Sequence, residues 1–191
     1  MASGEPQGHS EHLCLGGHRA HVRVLPAARA DAPTLVALHG FTGSGADFGP
    51  LREALGGNRF GWILPDFMGH GHSEAPAVID PYLLPNLLQL VEQSRRLAGD
   101  PARVHLLGYS MGGRIALQYL ARARPLPCLL VSASPGLDDV EERRRRRQAD
   151  RALIDLRTDT VEGFCTRWES LSLIFPQTRL GEPLASELQA R

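Results

Sequence analysis

Apolar residues alternate with polar ones early in the chain and then gather into short unbroken runs, and this change of rhythm predicts the elements. Residues 1–10 are polar and rich in small side chains and read as a flexible N-terminus. Leu13 and Leu15, the pair Gly16-Gly17, and then Val22, Val24 and Leu25 predict two short strands joined by a tight turn. After a loop through Pro33, Thr34-Leu35-Val36-Ala37-Leu38 is a continuous apolar run, as expected of a strand covered on both faces in a parallel sheet. Ser44 with Asp47 makes a capping box, and Phe48, Leu51 and Leu55 recur at helical spacing until Gly56.

The alternation then repeats. Trp62-Ile63-Leu64 predicts a strand, Leu84, Leu87, Leu88 and Val91 a helix face ending near Gly99, and Val104-His105-Leu106-Leu107 a further strand. Gly112, Ala116, Tyr119, Leu120 and Ala123 mark another helix, followed by the apolar run Cys128-Leu129-Leu130-Val131. Strands and helices in this order predict a doubly wound α/β sheet over residues 11–136, with sites at the carboxyl ends of its strands. From Leu137 the sequence turns helical and charged, and 137–191 is expected to form a helical cap.

Composition narrows the function classes. With 191 residues, 42% hydrophobic and 22% charged, the chain is of globular type. Its 21 basic residues balance 21 acidic ones, so nothing argues for nucleic acid or a membrane surface as partner. Every basic residue is arginine, which excludes a Schiff-base or P-loop lysine. Cys14, Cys128 and Cys165 are widely spaced, suggesting neither a disulfide framework nor a zinc site, and reduced cytoplasmic thiols are expected. The N-terminus lacks the apolar stretch of a leader, and no run approaches the ~18 residues of a membrane span, so a soluble, unexported protein is expected.

The strongest chemical signal is Gly108-Tyr109-Ser110-Met111-Gly112, a G-x-S-x-G placed between a buried strand and an apolar helix. A serine on so sharp a corner needs glycines beside it, and the helix N-terminus behind it favours developing negative charge, so Ser110 is presented as nucleophile or base. His39-Gly40-Phe41 leaves the strand 34–38 where this fold supplies an oxyanion-hole amide, making Phe41 and Met111 the candidate donors. Asp66-Phe67-Met68-Gly69-His70-Gly71-His72-Ser73 reads as a glycine-rich structural turn rather than a metal site, because histidines two apart diverge in an extended loop. The histidines at 9, 12, 18 and 21 read as linker and hairpin surface. The run Arg143 to Arg147 follows Glu141 and Glu142, and Glu141–Arg145 and Glu142–Arg146 pairs predict a solvated helix rather than a polyanion site.

These features together resemble the α/β-hydrolase superfamily. Within it, LHGFTGS at 38–44, DFMGHGHS at 66–73, GYSMGGRIAL at 108–117 and SASPGL at 132–137 resemble the 2-succinyl-6-hydroxy-2,4-cyclohexadiene-1-carboxylate synthases of menaquinone biosynthesis. Glu141 to Arg151, followed by Phe164 and Trp168, resembles that family's cap. The resemblance implies a lyase in which an activated serine removes a proton from a cyclohexene carboxylate and pyruvate leaves, without a cofactor. It also implies that Tyr109 and Trp168 line the pocket and that Arg114 binds substrate carboxylate, a task suited to a guanidinium. A serine ester hydrolase of the same fold and a non-catalytic remnant are the alternatives.

One expectation fails in the sequence itself. The family's triad runs serine, acid, histidine, yet all eight histidines precede Ser110, the last being His105. The family pattern would continue past Arg191 with two more strands, so the chain is expected to be truncated. The run 128–131 would then be a sheet edge, inviting self-association.

Overall fold

The computed structural model describes residues 8–123, 125–153 and 160–171 of the chain, which divides into two compact units, 1–136 and 137–191. In the first, β1 (His9–Leu15) and β2 (His18–Leu25) form the antiparallel hairpin, turned by Gly16 and Gly17 at φ 58° and 86°. A side chain at either glycine would be strained in that region of φ. The pairing begins at His9, inside the stretch read from composition as flexible, because His9 and Ser10 have strand partners in Val24 and Arg23.

The remaining strands are β3 (Thr34–Leu38), β4 (Gly61–Pro65), β5 (Val104–Tyr109) and β6 (Cys128–Val131). They lie in the order β1-β2-β4-β3-β5-β6, parallel from β4 to β6. Strand order reverses at β3, so the exits of β3 and β5 border the crevice where an open α/β sheet binds its ligands.

Side-chain alternation divides the core between the two faces of the sheet. Val36, Leu38, Ile63 and Leu106 pack with Leu90 and Val91 of α2 (Leu84–Leu97) and with Ile115, Ala116 and Tyr119 of α3 (Met111–Leu120). Ala37, Trp62, Leu64 and Leu107 pack on the opposite face with Phe48. Two-sided burial explains why β3 and β4 read as continuous apolar runs rather than alternating ones. Helices α2 and α3 are also joined by polar contacts: the Tyr119 hydroxyl donates to Glu92, and Arg95 beside it pushes the Glu92 carboxyl down to about 2.

Two local expectations need correction. The helix predicted from Ser44 to Gly56 is two pieces, a 3₁₀ turn Gly45–Phe48 and α1 (Gly49–Ala54), because Pro50 lacks an N–H and suits the first turn of a new helix. His21 is not hairpin surface: it is 8% exposed, and its Nδ1 lies 2.9 Å from the buried Asp66 carboxylate. Hairpin alternation alone gives no sign of this, since the partner is 45 residues away.

In the second unit, α4 (Val140–Ala152) starts where the Asp139 carboxylate accepts the Glu142 N–H at 2.8 Å. Glu141 meets Arg144 at 3.0 Å and Arg145 at 3.7 Å, whereas Arg146 pairs with Asp150 at 2.8 Å rather than with the expected Glu142. Thr160 caps α5 (Val161–Glu169), on which Phe164 and Trp168 stack with ring centroids 6.2 Å apart. Among the described residues no helix is long and apolar enough to cross a membrane.

Candidate active site

The corner between β5 and α3 is forced by close packing. A Cβ on Gly108 would come within 2.7 Å of the Gly113 nitrogen, and one on Gly112 would overlap the carbonyl groups of Leu38 and His39. The helix can therefore begin immediately after the strand only with glycine at both places. Ser110, trapped between them, adopts φ 50° and ψ −112°. A non-glycine residue held there stores backbone strain, which the surrounding hydrogen bonds maintain: Ser110 N–H donates to Val131 O at 2.9 Å, and Arg114 N–H to Ser110 O at 3.1 Å. Among the described residues the Ser110 hydroxyl has no hydrogen-bond partner. Thr42 after β3 and Ser132 after β6 also have positive φ, at 65° and 52°, so three strained residues mark the carboxyl ends of parallel strands.

The β3 exit lies beside this corner. A Cβ on Gly40 would stand 3.5 Å from the Ser110 Cβ and 2.9 Å from the Tyr109 ring, so Gly40 lets the loop pass next to the serine. Phe41 follows in that loop, 40% exposed, and Met111 is the first residue of α3. Met111 is covalently next to Ser110, and β3–β5 pairing, in which Leu38 stands opposite Gly108, brings the loop that carries Phe41 to the same corner. Tyr109 ends β5 with its ring 37% exposed against Gly40. Arg114 is exposed one helical turn beyond Ser110. Helical side chains lean toward the N-terminus, so Arg114 leans toward the serine's turn. Trp168 belongs to the other unit, half-buried on α5.

His39, the nearest histidine in sequence to the Phe41 loop, is fully committed. Its Nδ1–H donates to Gly40 O at 2.7 Å, and its Nε2 accepts the Phe67 N–H at 3.0 Å. Burial pushes its pKa down, which favours this neutral form. With no lone pair left over, His39 cannot take a proton from Ser110. It ties the β3 exit to the β4 exit instead.

The Asp66 segment acts as a second tie. Asp66 Oδ1 accepts the Gly45 N–H at 2.7 Å, and Oδ2 accepts the His72 N–H and faces His21 Nδ1, both at 2.9 Å. Gly71 at φ 52° lets the loop fold onto this carboxylate, which a Cβ there would strike. His70 contacts the Met68 carbonyl through Nδ1 at 3.1 Å. The contacts of 66–73 are therefore those of a turn locked by its acid. Sequence patterns place Asp66 in this turn but give no sign that it also holds Gly45 and His21; a D-x-x-G-x-G run following a strand is its local signal.

The α/β-hydrolase fold family profile matches residues 33–184. A protein of Bacillus subtilis (strain 168) named putative 2-succinyl-6-hydroxy-2,4-cyclohexadiene-1-carboxylate synthase is 34% identical over 163 residues, covering 82% of this chain and 57% of that protein. The synthase of Salmonella paratyphi C is 32% identical over 132 residues, 68% of this chain and 50% of its own length. Among solved structures, MenH from S. aureus superposes with a TM-score of 0.66 at 28% identity, over 88% of this chain and 62% of that one. The chain thus spans about half the length of the curated relatives it matches. A glycine-flanked serine at the β5–α3 corner, a reversal of strand order beside it and a profile match over most of the length agree on one conclusion: the chain belongs to the α/β-hydrolase fold family.

Proposed function

We propose that the chain supplies the serine side of a 2-succinyl-6-hydroxy-2,4-cyclohexadiene-1-carboxylate synthase, the activity named in its relatives, and is impaired in that reaction by itself. The carrying observation is the strained Ser110, with Gly40 against it and Arg114 one turn along the same helix. In this reading a base takes the Ser110 hydroxyl proton, and the Ser110 oxygen removes a proton from the ring of a cyclohexene-carboxylate substrate; a ring double bond forms as the carbon–oxygen bond to the leaving group breaks, and the departing enolate takes up a proton to become pyruvate. The Phe41 and Met111 amides hold the oxyanion, Arg114 clamps a carboxylate, and Tyr109 borders the serine. No cofactor takes part. Cys14 and Cys128 are free thiols, which suits a reducing, cytoplasmic setting.

The test has two arms. Pyruvate release from the precursor, abolished by Ser110→Ala, supports the synthase. Hydrolysis of short acyl esters abolished by the same substitution would move the site to an ester hydrolase, and neither activity would leave a non-catalytic remnant. Binding separates the role of Arg114 from chemistry. Arg114→Ala is expected to weaken product binding by about ten- to a hundred-fold, the worth of one charge-assisted contact. Arg122→Ala, whose guanidinium rests on Gln118, should leave it unchanged. Equal effects in titration calorimetry would remove Arg114 from the site.

We also propose self-association. Among the described residues β6 pairs only with β5, and it exposes Leu129 (62%) and Val131 (41%). Open backbone groups beside apolar side chains template pairing with another copy. Sedimentation of the chain at micromolar concentration should show dimers or larger species, reduced by Leu129→Lys; a sharp monomer would oppose this.

A further inference from the structure

The hairpin carries a serine and a histidine in hydrogen-bonded series with Asp66 of the turn after β4, remote in sequence from Ser110. Ser10 stands opposite Arg23 in the β1–β2 register and His12 opposite His21, so strand alternation sends all four side chains to one face. On that face Ser10 Oγ lies 2.9 Å from His21 Nε2, and His21 Nδ1 lies 2.9 Å from Asp66 Oδ2. Asp66 is a pure acceptor, already fixed by the Gly45 and His72 amides, so His21 must present Nδ1–H to it. In the neutral ring this leaves the Nε2 lone pair aimed at the Ser10 hydroxyl. His39 offers no such lone pair, because Phe67 occupies its Nε2.

We propose that Ser10, His21 and Asp66 form a second acyl-transfer site that accepts small carboxylic esters. Three observations beyond the distances support it. His21 and Asp66 are buried, with side chains 10% and 4% exposed, whereas Ser10 is exposed, so an orienting acid and a base sit under an accessible hydroxyl. The series opens into a cleft of about 750 Å³ lined by Ser10, His21, Arg23, Asp66 and His72, large enough for a small ester. Arg23, directly across from Ser10, supplies the cation beside a developing oxyanion. In the reaction, Ser10 Oγ bonds to the ester carbonyl carbon as its proton passes to His21 Nε2. The ester carbon–oxygen bond then breaks, and the departing alcohol takes that proton. Water, deprotonated by His21, releases the acid and restores Ser10.

The test is active-site labelling of the full chain with a fluorophosphonate, followed by peptide mapping. An adduct on Ser10 is expected in the natural chain and in Ser110→Ala, absent in Ser10→Ala, and reduced at least about tenfold in His21→Gln. An adduct confined to Ser110, no adduct at all, or Ser10 labelling unchanged in folded His21→Gln would overturn the site and leave the series as a latch on the hairpin. Should His21→Gln not fold, Ser10→Cys gives an independent reading. Its new thiol, beside the imidazole, should react with iodoacetamide at mildly acidic pH at least about tenfold faster than Cys14 in the same strand. Equal rates would overturn the proposal. Ester turnover lost in Ser10→Ala but kept in Ser110→Ala belongs to this site alone, so its failure is distinguishable from failure of the synthase reading.

Discussion

A polypeptide of residues 1–191, assayed by itself, should release pyruvate from the cyclohexene precursor about a million-fold more slowly than a synthase with a complete serine–histidine unit. A serine hydroxyl at its ordinary pKa is a poor base and nucleophile, and its activation in this fold depends on an imidazole that accepts its proton. All eight histidines of the chain precede Ser110. His39 is excluded as a stand-in because the Gly40 carbonyl and the Phe67 amide use both of its nitrogens. His70 is half-buried, with its ring 5.8 Å from Phe41, so it is the remaining candidate from the β4 exit. Residual turnover is expected to be unchanged in His39→Ala and His70→Ala and to rise when free imidazole is added as a diffusible base. The decisive measurement is single-turnover pyruvate release beside the Bacillus subtilis relative. A rate within about tenfold of that protein would mean that Ser110 finds a base elsewhere.

Asp66→Ala should be the most destabilising single change in the first unit, lowering unfolding free energy by about 3–5 kcal/mol. The Asp66 side chain is buried and receives the Gly45 and His72 amides as well as His21. Truncation leaves these donors buried without an acceptor. Because they belong to the turn after β3, the turn after β4 and strand β2, three segments lose their common tie together. The Ser73 hydroxyl, which donates to Asp66 O at 2.7 Å and accepts the His21 N–H at 2.9 Å, loses its alignment as well. Asp66→Asn should cost less, since one oxygen survives to accept. The urea midpoint reports both, and a loss below about 1 kcal/mol for alanine would show that water replaces the carboxylate.

Much of the fold was legible because local and global preferences coincide. Strands β3 and β4 are legible as apolar runs, since burial on both faces removes polar positions, whereas β6 is equally apolar although Leu129 and Val131 are exposed. The corner at Ser110 was equally visible, because a strand that turns directly into a helix at van der Waals contact requires glycine at fixed offsets, and Gly108 and Gly112 stand at those offsets. By contrast, the division of 45–54 into a 3₁₀ turn and a helix depended on where Pro50 fell against the first turn. The pairing of Arg146 with Asp150 rather than Glu142 was chosen between two acids at the same spacing, which periodicity cannot rank.

The sequence by itself determined the strand–helix alternation, the serine on its glycine corner and the lack of any histidine after it, all of which follow from side-chain type and spacing within a few residues. Tertiary structure alone decided that Gly40 passes beside Ser110, that His39 spends both nitrogens on backbone, and that Ser10, His21 and Asp66 meet in one series. The physical reason is reach: local propensity acts over a turn or two, whereas these contacts join residues brought together only when sheet pairing sets which strand ends are neighbours.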